Sequence, residues 1–175
     1  MKKIKFFLAF MAAGLLFVSC DFDDDSDSSV ATKCNYEITV SVSDGAVDQQ
    51  DLITTVVTFP NYDGEIQTKN ISFANSWKAT LASPITKLPV KGVITIKQSL
   101  KEGVDHSKKE EYKLGLSYKL VVFSMDAKDN IVDKEDEDES NNLTVPANNL
   151  NKLYPETITL RFSVDAKGEV SIEED

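Results

Sequence analysis

The chain has little of what most catalytic and metal sites are built from. Its 175 residues include one histidine (His106), one arginine (Arg161), one tryptophan (Trp77) and two cysteines (Cys20 and Cys34). A single histidine and no G-x-S-x-G sequence leave no partner set for a Ser-His-Asp arrangement. One histidine and one spare cysteine fall short of a four-ligand zinc site, and no ligand spacing suggests one. The seven glycines are scattered, so there is no glycine-rich phosphate loop, and no cofactor motif appears. Basic charge is also scarce. There are 19 Lys and Arg against 29 Asp and Glu, a formal charge of −10. Nucleic-acid binding needs clustered cations on phosphates, so no nucleic-acid partner is expected. The one long apolar run, Phe6 to Val18, is too short to span a bilayer comfortably.

What is present begins at the N-terminus. Lys2, Lys3 and Lys5 precede the apolar run, and Ser19-Cys20 closes it. A basic start, an apolar centre and a small residue before the cut describe a secretory signal. Phe17-Val18-Ser19-Cys20 resembles a bacterial lipobox, in which the cysteine receives a diacylglycerol thioether and the chain is cut before it. That resemblance assigns lipidation to Cys20 and makes the membrane a partner through the lipid anchor. Each buried CH2 of an acyl chain contributes about 0.8 kcal/mol, so several chains on one residue hold firmly. Asp21, Asp23, Asp24 and Asp25, with Asp27 after them, resemble the acidic export signal of Bacteroidota surface lipoproteins. That implies an outer-membrane protein facing the cell exterior. Without the resemblance, the same acids read as a solvated tether.

Removing the 19 residues before Cys20 leaves 156, and losing three lysines takes the formal charge from −10 to −13. That length suits one domain and a tether. The expected division is a signal peptide over 1–19, a lipidated acidic tether over 20–33 and a β domain over 34–175.

From Tyr36 the pattern changes to period two. Tyr36, Ile38, Val40 and Val42 alternate with polar residues. Leu52 to Phe59 is rich in β-branched residues and stops at Pro60. Asn61 to Gly64 is a turn signal. Glu65 to Ala74 predicts one interrupted strand or two short ones, and Ser76 to Leu81 another. Val93 to Gln98 predicts a short strand, and Ser99 to Glu111 a charged loop. Glu111 to Met125 predicts a long central strand with Tyr112, Leu114, Leu116, Tyr118, Leu120 and Val122 on its core face. Asp133 to Glu139, with six acids, reads as an acidic loop. Thr157 to Val164 and Glu169 to Ile172 form the last hairpin around Lys167-Gly168. Short strands with turns between them and no amphipathic helix predict an all-β antiparallel sandwich or barrel.

One stretch narrows this. Tyr118, Leu120, Val122, Asp126, Asp129 and Asn130 resemble the Y-x-V-x-V-x-x-x-D-x-x-G-N strand and turn of bacterial Ig-like domains. Leu120 stands where that pattern has Val, and Asp129 where it has Gly. The resemblance implies an Ig-like β-sandwich and a tyrosine corner in which the Tyr118 hydroxyl bonds an upstream backbone. Phe123 to Asp129 also echoes Phe162 to Gly168, which hairpin chemistry is enough to explain.

Site candidates are few. Asp126, Asp129, Asp133 and Asp136 offer oxygen ligands for calcium, although the spacing is not that of an EF-hand and a solvated acidic loop is the plainer reading. Trp77 and Tyr62 are the candidate ligand-stacking aromatics, although a tryptophan at position 77 more often plugs a sandwich core than stacks on a ligand. Cys34, left without a partner by Cys20, reads as a buried small hydrophobe. The expected function is a non-catalytic binding or structural module for an extracellular glycan or protein partner. The alternatives are a carboxylate-based glycan hydrolase, since 29 acids must form pairs somewhere, and a periplasmic accessory subunit of an envelope complex.

Overall fold

Alternation along the strands builds two sheets and one core between them. A computed structural model describes residues 30–61, 63–71, 77–80, 85 and 87–175. Cys20, Asp21, Asp23, Asp24, Asp25 and Tyr62 lie outside that set. Strands β1 (Lys33–Val42), β4 (Trp77–Thr80), β7 (Leu116–Met125) and β8 (Ile131–Ser140) form one sheet in the order β4-β1-β7-β8. Strands β2 (Ile53–Pro60), β3 (Ile66–Ile71), β5 (Val90–Leu100), β10 (Glu156–Val164) and β11 (Val170–Glu174) form the other, in the order β11-β10-β5-β2-β3. Every pairing is antiparallel. The protein is therefore an all-β sandwich, with one face of each sheet buried against the other.

Cys34, Tyr36, Ile38 and Val40 from β1 meet Leu116, Tyr118, Leu120 and Val122 from β7 on one inner face. Val57, Ile94, Ile96, Ile158, Leu160, Phe162 and Val164 line the other. Each such side chain contributes about 1.5–3 kcal/mol on burial. Tyr36 and Phe162 pack across the sandwich with ring centroids 5.1 Å apart and planes tilted by 45°.

The long strand predicted over Glu111–Met125 is broken at Gly115. A Cβ on Gly115 would lie 2.3 Å from the Asn141 carbonyl oxygen, so only glycine lets the two chains approach there. The Asn141 side chain accepts from the Leu116 amide at 2.9 Å, within the kink. Beyond it, β6 (Glu111–Leu114) and β9 (Leu143–Pro146) pair as a separate two-stranded sheet. This small sheet covers a second core of Leu52, Tyr112, Leu114, Val145, Leu150 and Tyr154. The one-turn helices α1 (Gln49–Leu52) and α2 (Leu150–Leu153) flank it.

The predicted acidic loop at Asp133–Glu139 is instead the body of edge strand β8. Ladder hydrogen bonds come from the backbone, so a run of charges pairs when its partner strand fixes the register. Glu135, Glu137 and Glu139 stand opposite Val122, Leu120 and Tyr118, on the inner face at the sheet margin. From there the carboxylates reach across to the other sheet. Asp133 Oδ2 accepts from the Val170 amide at 2.8 Å, and Glu135 Oε2 from the Ile172 amide at 3.0 Å. Edge β8 thus caps edge β11, which blocks further strand addition at that side.

Three hairpins turn at the same end of the sandwich by the same device. Asn61, Asp126 and Asp165 each accept, through Oδ1, the amides two and four residues on, at 2.7–2.9 Å. The fourth residue of each turn has positive φ: Gly64 at 81°, Asp129 at 65° and Gly168 at 91°. The echo between the second and third turns is therefore shared hairpin chemistry, as expected. Asp129 holds a conformation that glycine adopts without steric cost. Its carboxylate bonds Lys33 Nζ at 2.6 Å, an exposed pair of little worth. Asp129→Gly is expected to raise stability by roughly 0.5 kcal/mol. A urea denaturation series reads this directly, and a lowered midpoint would show that the Lys33 contact outweighs the backbone gain.

Candidate functional site

Among the described residues, the structure disperses those singled out from the sequence. Asp126 is occupied by its own turn: Asn130 donates to it from side chain and backbone, and Lys128 from its backbone, which holds the carboxyl below the usual range. Asp129 pairs with Lys33, Asp133 caps Val170, and Asp136 Oδ2 bonds Lys119 Nζ at 2.7 Å. The four calcium candidates therefore have four separate partners. Among the described residues no three His, Cys, Asp or Glu side chains group to hold a metal ion. Trp77 opens β4, in register with Val40. Cys34 is buried in β1, and burial pushes its thiol up to about 12, as suits a small hydrophobe rather than a nucleophile. His106 sits in the loop at the opposite end, where its backbone carbonyl accepts from the Tyr112 hydroxyl at 3.0 Å.

The tyrosine corner is not where the resemblance put it. The Tyr118 hydroxyl bonds the Glu139 carboxylate at 3.0 Å, with the Glu174 carboxylate nearby, rather than an upstream backbone. Burial, followed by these two carboxylates, pushes its phenol far up. The hydroxyl-to-backbone tether is made by Tyr36, which donates to the Pro60 carbonyl across the sandwich. Register explains the difference: Tyr118 faces Glu139 directly on edge strand β8, so a charged acceptor is nearer than any carbonyl.

A polar chain that the sequence did not reveal runs through the interior between the two cores. Gln49 Oε1 accepts from the Gly115 amide at 3.1 Å, Gln49 Nε2 donates to Gln98 Oε1 at 2.7 Å, and Gln98 Nε2 donates to Glu156 Oε2 at 3.0 Å. Burial, then the charge of Glu139, raises the Glu156 carboxyl above its ordinary value. At the same end Asp48 accepts from the Lys113 amide at 2.8 Å and pairs with Lys109. Burial works against that carboxylate, but the bonds and charges of the two lysines outweigh it and hold it below the usual range. The loops at this end are thus pinned to the small sheet.

The described residues line several surface cavities, three of which bear on function. A groove of about 400 Å³ runs along β9 and α2, lined by Leu143, Val145, Pro146 and Leu153 with Asn149 and Lys152. A hollow of about 350 Å³ lies over Val42 to Gln50. A pit of about 220 Å³ opens on the outer face of the five-stranded sheet. The pit is lined by two outward rows across β5, β10 and β11, Lys91, Ser163 and Ser171 in one and Val93, Arg161 and Glu173 in the other, with Gly92 and Phe162 between them. The two serine hydroxyls are hydrogen-bonded at 2.8 Å, and Arg161 Nε donates to Asp175 Oδ2 at 2.7 Å. None of these three cavities is lined by a facing pair of carboxylates. No helix among the described residues is long and apolar enough to cross a membrane.

Comparison of the chain with protein-family models, with curated proteins and with solved structures returns no match.

Proposed function

We propose that the chain is a lipid-anchored outer-membrane protein facing the cell exterior, and that its sandwich is a non-catalytic module binding or spacing an extracellular glycan or protein. The observation that carries this reading is the first stretch of sequence, in which Cys20 closes the apolar run and Asp21, Asp23, Asp24 and Asp25 follow at once. The fold supplies a fitting geometry. The chain joins the sandwich at the hairpin end, where the Thr32 amide donates to the Met125 carbonyl at 2.8 Å and Ala31 packs on Gly168. A tether attached there presents the opposite end, with the second core, the loop before β6 and the apolar groove, away from the membrane.

Cys20→Ser is expected to abolish metabolic palmitate labelling and to release the protein from the membrane fraction. Protease added to intact cells is expected to digest the wild-type protein. Labelling that survives the substitution would overturn the anchor. Full protection of a labelled chain would place it in the periplasm as an accessory subunit. Partner class is read by glycan array and pull-down with the full chain in detergent.

A further inference from the structure

The pit on the outer face of the five-stranded sheet combines features that a flat strand surface does not normally gather. Outward positions on a sheet face usually carry long side chains side by side. Here Ser163 and Ser171 lie opposite each other and leave a depression between Lys91, Arg161, Val93 and Glu173. Its floor sets the Ser163–Ser171 hydroxyl pair beside the apolar Gly92 and Phe162. The two hydroxyls share one hydrogen bond, so one hydroxyl hydrogen and several lone pairs face the opening. Its wall carries the only arginine of a chain that otherwise uses lysine. Asp175 engages Arg161 through Nε and so orients the fork, whose terminal nitrogens bear four further donors. Val93, 41% exposed, adds a small apolar patch beside it.

We propose that this pit takes a single carboxylate-bearing pyranose of an acidic glycan, a proposal that rests on the glycan form of the function above. The sugar carboxylate lies against the Arg161 guanidinium with the Lys91 ammonium beside it. Ring hydroxyls bond Glu173 and the Ser163–Ser171 pair, and the apolar ring face lies on Val93. Charge decides the class of anion. Two cations, Lys91 and Arg161, stand against Glu173 and Asp175, in a chain of net charge −10. That local balance is neutral, so recognition rests on the directed Arg161 and Lys91 donors rather than on net attraction, and a dianion such as a phosphate is repelled more strongly than one planar monoanion. Size agrees, because about 220 Å³ is below the ~300 Å³ at which drug-sized sites begin, and it suits one sugar ring.

The test is calorimetric titration of the full chain in detergent with oligomers of galacturonate, glucuronate and mannuronate, and with their methyl esters. Saturable binding to at least one acidic oligomer is expected, with loss of binding on esterification. Arg161→Gln removes the fork, and Ser171→Leu fills the pit at an outward position that tolerates it. Each is expected to weaken binding by about tenfold or more with the unfolding transition unchanged. Equal binding of acid and ester, wild-type binding by both variants, or no saturable binding of any acidic oligomer overturns the proposal. If the variants behave as wild type while the chain still captures a glycan, the pit is wrong and the glycan reading stands. If no glycan of any class is captured, the glycan reading falls with it.

Discussion

Gly92→Ala is expected to destabilise the protein by about 3 kcal/mol, although alanine is ordinarily the better strand residue by roughly 0.5–1 kcal/mol. Gly92 stands opposite Phe162 in the β5–β10 ladder, and the Phe162 ring lies over it. A Cβ there would be 2.2 Å from Phe162 Cζ and 2.3 Å from Cε1. The ring has nowhere to go. It is buried and rests against Tyr36, which is itself fully buried and tied by its hydroxyl to Pro60. The added methyl must therefore push two aromatic rings and the strand beneath them. Urea denaturation measures the loss, with an unchanged slope showing that the native state has not opened. Combining Gly92→Ala with Phe162→Leu gives a second reading. The smaller side chain makes room, so the double variant is expected to lose about 1–2 kcal/mol less than the sum of the singles. Strict additivity would show that the methyl is accommodated away from the ring.

The same glycine illustrates what period-two reading captures and what it misses. The alternation of β1, β2 and β10 was visible because each has one wet and one dry face, and Tyr36, Ile38, Val57, Leu160 and Phe162 are all buried as it implies. Strand β8 carried no such signal. From Asp133 to Ser140 every residue is charged or polar, so neither face looks apolar. Its register came from β7, and the acceptor role of Asp133 and Glu135 depends on β11 amides 37 residues away in sequence. Gly115 was equally silent, since Tyr112, Leu114, Leu116 and Tyr118 keep one parity straight through the kink. Only the approach of Asn141 shows that the strand divides there. Two of the three hairpin turns shared a readable sequence; the third, at Asn61, shares with both only an oxygen acceptor at its first position and a positive φ at its fourth. The outer-face pit was out of reach, because its lining residues come from three strands whose neighbourhood no local pattern encodes. The proposed lipidation of Cys20 differs in kind, since it rests on contiguous residues alone.

Gln98→Leu tests the buried polar chain and is expected to cost about 3 kcal/mol at pH 7. Gln98 is 2% exposed and holds both neighbours, taking a hydrogen bond from Gln49 and giving one to Glu156. Leucine fills a similar volume but leaves the fully buried Gln49 amide without its acceptor and the Glu156 carboxylate without its donor. The second loss makes the cost depend on pH. Burial and the nearby charge of Glu139 raise the Glu156 pKa in the folded state above its unfolded value. The folded state therefore binds this proton more tightly, and the stability so contributed is lost as pH rises through the folded pKa. The Gln98 amide favours the charged carboxylate, so removing it raises that pKa further. The deficit of Gln98→Leu should then be smaller at pH 4 than at pH 7, by roughly 1 kcal/mol after allowing for partial exposure of Glu156. In a Glu156→Gln background, where no proton can be taken up, the deficit should be the same at both values. Denaturation midpoints for the four chains at the two pH values settle the matter. A deficit that is flat with pH while Glu156 is present would mean that its carboxylate is hydrated rather than held by Gln98.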